Sequence, residues 1–261
     1  MSEKYANPRQ KEILKLLLTN NNIQVAELAD KLNVTQATIR RDLTKLESLG
    51  KLYRTHGGAI LKEQTVSWLS TTLEERMKSD VKEKEDIAKS ILPYIEDSET
   101  IMMDGGSTNM AIAKELARHK QNLLIITNCQ AIGDVFIKDE DSTNNVYIIG
   151  GELLYGTQNT VGPIAERNLD LFKADKSIIS ITGVLIDEGL FTASPQESEI
   201  KRLMIKNSKT NIIVFGVSKI GVPALSKCNN FENIDLIITN KDIELEHLNK
   251  LKTKVNKIKL A

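Results

Sequence analysis

The chain has only two cysteines, Cys129 and Cys228, in 261 residues, and three histidines. Neither cysteine sits in a metal-ligand spacing, which excludes a zinc module and a disulfide-stapled fold; both read as small core residues. No metal or other cofactor is implied. No apolar run approaches the roughly 18 residues that a membrane span needs. The start, Met1-Ser2-Glu3-Lys4-Tyr5-Ala6-Asn7, lacks the apolar stretch of a signal peptide, so a cytoplasmic protein is expected. Aromatic residues make up 4% and Trp68 is the sole tryptophan.

An excess of charge of either sign is also missing, with 35 basic and 35 acidic residues. The balance hides an asymmetry. Residues 1–61 hold ten Lys+Arg and six Asp+Glu, a net +4, which leaves 25 and 29, a net −4, for the rest. A basic front on an acidic body fits a phosphate-binding module joined to a part that does not bind nucleic acid. The length and 41% apolar content suit two domains of unequal size, the larger with a sizeable core.

What the sequence does have is a pair of short amphipathic helices near its start. Val25, Leu28, Ala29 and Leu32 share one helical face, and Asn33-Val34 form a tight link. A second helix follows, in which Ile39, Leu43 and Leu46 recur at i, i+4 and i+7 while Thr35, Gln36, Thr38, Arg40 and Arg41 crowd its first turns on other faces. Thr35 suits the N-cap and Gly50 the stop. This is a helix-turn-helix pattern: a helix fits the major groove, and its front residues meet base edges and phosphates. An ordinary surface helix pair is the competing reading. The next segment weighs against it, since Lys51 to Thr55 alternates, breaks at His56-Gly57-Gly58 and resumes at Ala59-Ile60-Leu61, a hairpin that would make a wing. Pro8 to Thr19 supplies a first helix with a leucine-rich face, and Ile23-Gln24 reads as an extended link.

Thr38-Ile39-Arg40-Arg41-Asp42-Leu43, followed by Leu46-Glu47, Gly50 and His56-Gly57-Gly58-Ala59, resembles the DNA-binding end of the DeoR family of bacterial transcription regulators. On this reading Gln36, Thr38, Arg40 and Arg41 enter the major groove, and Thr35, Arg54 and His56 contact phosphates. Double-stranded operator DNA is then a partner. One winged helix buries little DNA, so a homodimer or homotetramer is expected.

Lys62 to about Leu73 loses periodicity and reads as a linker that contains Trp68. The expected domains are 1–61, a winged helix-turn-helix; 62–75, the linker; and 76–261, an effector-sensing α/β domain. Glu74 to Ile95 has the spacing of one helix. Beyond it, short apolar runs at Thr100–Met103, Leu123–Ile126, Val146–Ile149, Ser177–Ile181, Asn211–Phe215 and Asp235–Ile238 alternate with helical patterns, which implies a mainly parallel, Rossmann-like sheet covered on both faces.

Ligands of such sheets bind beyond the carboxyl ends of the strands. The residues there are Asp104-Gly105-Gly106-Ser107-Thr108-Asn109, Thr127-Asn128, Gly150-Gly151, Thr182-Gly183, Gly216-Val217-Ser218-Lys219 and Thr239-Asn240. Gly-Gly-Ser-Thr opening a helix offers free amides to an anion. Lys219 and Lys201 are candidate cations, and Glu197 and Asp104 are available to hydroxyl groups.

The resemblance to the DeoR family extends to this half, through the Asp104 to Asn109 run, Thr127-Asn128, the Gly150-Gly151 pair, Glu197 with Lys201, and Ser218-Lys219. It implies a sensor domain similar in fold to ribose-5-phosphate isomerase and the coenzyme A transferases. It also implies a small phosphorylated metabolite as effector, bound by Asp104, Gly106, Ser107, Thr108, Asn109, Thr127, Asn128, Gly151, Glu197, Lys201 and Lys219. Members commonly carry Asp where this chain has Gly216, and many have Asp where it has Asn240. The function implied is a DNA-binding transcriptional regulator, a repressor of a carbohydrate or polyol catabolic operon released from its operator by a phosphorylated sugar. The alternative is a sugar-phosphate isomerase-like enzyme with an appended DNA-binding domain. The isomerase-like Asp-Gly-Ala-Asp and Lys-Gly-Gly-Gly loops are absent, so no catalytic residue is assigned.

Overall fold

Asn33 takes the left-handed conformation, φ 50°, which asparagine tolerates better than most residues. It turns the chain between α1 (Val25–Lys31) and α2 (Gln36–Ser48) in the computed structural model. The structure describes residues 9–10, 12–13, 16, 23–48, 52–55, 58–61, 72–154, 156–222 and 224–261. The chain divides into two units, Met1–Ser70 and Thr71–Ala261.

In the first unit the apolar stripe read from the sequence is the core. Ile39, Leu43 and Leu46 of α2 have no exposed surface, and they cluster with Ile13, Ile23, Val25, Leu28, Ala29, Leu52 and Ala59. Fully burying a Leu or Ile stabilises by roughly 1.5–3 kcal/mol. Strand β1 (Ile23–Gln24) pairs antiparallel with β3 (Gly58–Leu61), which pairs with β2 (Leu52–Thr55). The expected extended link is therefore a third strand. The backbone at residues 9–10, 12–13 and 16 is helical. Gly50, His56, Gly57, Trp68 and residues 62–71 lie outside the described residues.

The second unit is built on seven strands, all parallel to their neighbours: β4 (Thr100–Met103), β5 (Leu124–Thr127), β6 (Asn145–Ile148), β9 (Ala174–Ser180), β12 (Ser208–Val214), β14 (Leu236–Thr239) and β15 (Ile258–Leu260), in the order β15-β14-β12-β9-β4-β5-β6. Strand β15 was not read from the sequence; its segment, Ile258-Lys259-Leu260, is too short and too charged to signal a strand. Two small antiparallel arrangements flank the sheet: β7 (Glu152–Leu153) with β8 (Thr160–Val161), and β10 (Gly183–Leu185), β11 (Gly189–Thr192) and β13 (Ser226–Asn229) together.

Alternation of side chains sorts the strand residues onto two cores. Ile101, Met103, Ile125 and Ile212 pack with Ile87, Ile91, Ile112 and Leu116, while Met102, Ile126, Ile179 and Ile213 pack with Leu169, Ile200, Met204 and Leu251. The first face is covered by α4 (Val81–Ile91), α5 (Ser107–His119) and α6 (Gln130–Ile137). The second is covered by α7 (Pro163–Leu169), α8 (Pro195–Lys206) and α9 (Leu245–Lys252).

The single helix expected over 74–95 is two. A short α3 (Leu73–Lys78) ends at Ser79, which is extended, and Asp80 is left-handed at φ 46° before α4 begins. Ser79 Oγ donates to the Arg76 carbonyl at 3.2 Å, the local competition with helical bonding that serine and aspartate offer.

Candidate functional site

The chain enters the sheet at β4, moves outward through β5 and β6, and returns to β9 on the other side of β4. This reversal makes the carboxyl ends of β4 and β9 the switch point of the sheet, the position at which open α/β sheets bind ligands in a crevice. Asp104 follows β4 there and is 1% exposed. Its Oδ1 accepts from Ser180 N at 2.6 Å and from Asn109 Nδ2 at 2.8 Å; its Oδ2 accepts from Ser180 Oγ at 2.9 Å and pairs with Lys201 Nζ. Lys201 Nζ also donates to the Ser180 carbonyl at 3.1 Å. Burial opposes the charge on Lys201, but the carboxylates of Asp104 and Glu197 outweigh it and hold its pKa above the ordinary lysine value. The ion pair persists in the interior because each partner has further hydrogen bonds.

Asn128 extends this network by accepting from Gly105 N at 3.2 Å and donating to the Thr160 carbonyl at 2.9 Å. Thr127 Oγ1 accepts from Cys129 N at 3.1 Å and shapes the turn beneath it. Asn109 donates also to the carbonyls of Asp104 and Ile178, both at 2.9 Å, and so clamps β4 to β9. Five of the residues expected at an effector site, Asp104, Asn109, Asn128, Glu197 and Lys201, thus lie in one buried group, with Asn159 as the link to Glu197.

Gly106, Ser107 and Thr108 open α5, which has no side-chain N-cap and no acidic residue in its first turn. A Cβ on Gly106 would stand 2.3 Å from Ser180 Oγ, and one on Gly151, at φ 154°, would stand 2.6 Å from the Val161 carbonyl oxygen. Both glycines are required by close approach. Ser107 lines a cavity of about 360 Å³ together with Met77, Val81, Lys84, Met110 and Lys114.

Lys219 belongs to a neighbouring charged group with Asp80, Glu83, Lys84 and Arg76. Burial lowers its pKa to about 8, with Lys84 and Arg76 acting in the same direction and Asp80 and Glu83 against it. Burial likewise lowers Lys84 and raises Glu83.

Of the site residues that were not read from the sequence, two stand out. Asn159, 2% exposed, donates through Nδ2 to the Gly105 carbonyl and to Glu197 Oε1, both at 3.1 Å. A Cβ on Gly105 would lie 1.7 Å from its Oδ1, so the paired glycines were its only trace. Arg76 is the second. Its Nε and Nη2 are buried with no hydrogen-bond partner among the described residues, and burial lowers its pKa against the pull of Glu197 and Asp104. It sat inside a charged helical pattern that reads as solvated surface. Cys129 and Cys228 are buried free thiols, and burial raises both, Cys228 to about 11. High thiol pKa values make inert thiols.

In the first unit Thr35, Gln36, Arg40 and Arg41 are exposed and Thr38 is half-buried. Thr38 N donates to Thr35 Oγ1 at 3.3 Å, which caps α2, and Arg40 Nη2 donates to Gln36 Oε1 at 3.3 Å along the same face. Asp42 points inward instead, 4% exposed, and accepts from Arg9 Nε at 2.5 Å and Gln10 Nε2 at 2.9 Å. The backbone of Arg54 pairs with Ala59; its side chain and His56 are outside the described residues.

Residues 9–65 match the DeoR-like helix-turn-helix domain, and residues 79–241 match the DeoR C terminal sensor domain. The HTH-type transcriptional regulator GolR of Listeria innocua is 32% identical over 235 residues, covering 90% of this chain and 91% of that protein. The lactose phosphotransferase system repressor of Streptococcus mutans is 30% identical over 250 residues, covering 95% and 98%. Among solved structures, ribose 5 phosphate isomerase A from Neisseria gonorrhoeae is similar over 57% of this chain and 55% of its own, at 14% identity and a TM-score of 0.38. Among the described residues no helix is long and apolar enough to cross a membrane. The domain matches and these relatives place the chain in the DeoR family of helix-turn-helix transcriptional regulators.

Proposed function

We propose that the protein is a transcriptional repressor of a carbohydrate or polyol catabolic operon, released from its operator when a phosphorylated sugar or related metabolite occupies the crevice beyond β4 and β9. The observation that carries this reading is the division of the crevice into two chemistries. On one side stand the acceptors and donors of Asp104, Asn128, Asn159 and Glu197, suited to hydroxyl groups. On the other stand Arg76, Lys84 and Lys219 with the uncapped amides of Ser107 and Thr108, suited to a phosphate. The name of the Streptococcus mutans relative, a lactose phosphotransferase system repressor, supports a sugar-linked role.

Turnover has little support. The pocket carboxylates are engaged, Asp104 with Lys201, Ser180 and Asn109, and Glu197 with Asn159, so neither stands ready as a general base. The exposed front of α2 faces DNA in this reading, with Gln36, Thr38, Arg40 and Arg41 on bases and Thr35, Arg54 and His56 on phosphates. A homodimer or homotetramer would read repeated half-sites.

The test uses the full chain and a duplex selected by it from a random library. Phosphorylated sugars, polyol phosphates and their unphosphorylated parents are screened for thermal stabilisation and duplex release. A ligand at 100 times its Kd adds about 2.7 kcal/mol. Phosphorylated compounds are expected to stabilise and to release the duplex; a screen in which only neutral polyols act, or one that reveals steady turnover, would overturn the proposal.

A further inference from the structure

We infer that Arg76 is itself a ligand of the effector's anionic group, and that α3, the helix that carries it, is the element through which occupancy reaches the DNA-binding unit. The inference rests on the crevice being the effector site, and it adds the residue and the route of regulation.

Helix α3 spans six residues, Leu73–Lys78, too few to persist without tertiary support. Its tertiary supports come from α5, α4 and the loop between β7 and β8. Leu73, 4% exposed, and the partly buried Met77 join the core that contains Met110 of α5. Leu73 N donates to the Gly156 carbonyl at 2.9 Å, in the loop between β7 and β8 that also delivers Asn159. Lys84 Nζ donates to the Arg76 carbonyl at 2.7 Å. The remaining support is a capping box, in which Glu75 N donates to Thr72 Oγ1 at 3.2 Å and Thr72 N donates to Glu75 Oε2 at 2.9 Å.

The guanidinium of Arg76 completes the picture. Nε and Nη2, the two nitrogens on the edge that grips an oxyanion side-on, are the two that are buried without a partner among the described residues. The nearby carboxylates do not fill this role, since Asp104 is paired with Lys201 and Glu197 accepts from Asn159. A phosphate bonded to that edge would give the Arg76 guanidinium the partner it lacks among the described residues. Such a ligand binds more tightly when α3 is docked than when it is loose, which is the differential affinity that a population shift requires. Helix α3 begins two residues after Thr71, where the second unit starts, so a ligand that docks α3 acts at the chain junction with the DNA-binding unit.

Amide hydrogen exchange of the full chain tests this, with inorganic phosphate as probe against chloride at matched ionic strength, and thermal unfolding read in parallel. Phosphate is expected to raise the midpoint and to slow exchange across residues 72–79 several-fold. Arg76→Lys, which keeps the charge but loses the fork, is expected to need at least tenfold more phosphate for the same midpoint shift while unfolding in its absence close to wild type. Thr72→Ala, which removes the cap without removing a partner of the anion, is expected to speed exchange across 72–79 in the absence of phosphate and to need more phosphate for the same midpoint shift. If phosphate raises the midpoint but exchange over 72–79 does not change, the route through α3 is wrong while the crevice reading stands. If neither phosphate nor any sugar phosphate moves the midpoint, the crevice reading fails and this inference with it.

Discussion

Asp104 and Lys201 form an ion pair between the end of β4 and the middle of α8, with side-chain exposures of 2% and 6%. The pair joins the two strands at the point where the sheet reverses direction, through Ser180. Removing one member leaves the other charged and buried. Lys201→Met is therefore expected to destabilise by about 3–5 kcal/mol, and Asp104→Asn with Lys201→Met to recover part of that loss. Urea unfolding of the single and double variants checks both; equal stability of Lys201→Met and wild type would show that the pair contributes no net support.

Lys219 is expected to set a pH dependence of anion binding. Its folded pKa is about 8 and its ordinary value 10.5, so between these the unfolded chain holds a proton that the folded chain has released. Stability contributed by this group therefore rises with pH across that window. Glu83 acts in the opposite sense and at lower pH: its raised carboxyl costs stability as pH climbs above 4.5. An anion beside Lys219 favours the charged amine, so binding takes up a proton and weakens as pH rises through about 8, by up to about tenfold per pH unit. Sulfate, which does not itself titrate there, is the probe to use. Its affinity should fall between pH 7 and pH 9 in wild type and stay flat in Lys219→Met.

Gly216 stands where the resemblance to the DeoR family expects an aspartate, and a carboxylate already lies beside it. A Cβ at Gly216 would lie 3.0 Å from Glu83 Oε2 and 3.4 Å from Asn240 Oδ1, and Asn240 Nδ2 donates to the Glu83 carbonyl at 3.1 Å. Glu83 thus brings a carboxylate from α4 to the space that an aspartate would fill. Gly216→Asp is expected to destabilise by about 1–3 kcal/mol through crowding and like-charge repulsion, more at pH 8 than at pH 5. Adding Glu83→Gln should relieve most of the pH-dependent part. Thermal midpoints at the two pH values decide it, and a variant as stable as wild type at pH 8 would refute the crowding argument.

The fold was legible where burial imposes a period. Ile39, Leu43 and Leu46 announced α2, and the runs that became β4, β5, β9, β12 and β14 are apolar because both faces of a parallel sheet are covered. Strand β15 escaped notice because an edge strand need bury little, and Lys259 breaks its run. The break between α3 and α4 escaped because Met77 and Val81 keep helical spacing across it, so that only Ser79 and Asp80 mark it. Asp104, Asn128, Glu197 and Lys201 were readable from strand ends and a motif. Asn159 and Arg76 were not. Asn159 comes from a hairpin without periodicity, and Arg76 from a charged helix whose inward residue cannot be told from its outward ones before the helix has a neighbour.

The front of α2 yields a prediction that separates reading of bases from support of the helix. Arg40 and Arg41 are adjacent and exposed, and Arg40 is bonded to Gln36 on the helix surface. The next residue, Asp42, turns inward to Arg9 and Gln10. If Arg41 meets a base edge, Arg41→Ala weakens binding to the selected duplex by roughly 1–3 kcal/mol and flattens preference at one base pair. If it meets a phosphate instead, binding falls for all sequences alike and the salt dependence loses about one counterion. Asp42→Asn should do neither: it weakens the packing of the first helix on α2, lowers the unfolding midpoint of the DNA-binding unit, and leaves the base preference of the folded fraction unchanged. Titrations of the duplex and of single-base variants, at two salt concentrations, distinguish these outcomes. Arg41→Ala with unchanged affinity and unchanged salt slope would mean that α2 does not present this face to DNA, and the docking of the whole winged helix would have to be redrawn.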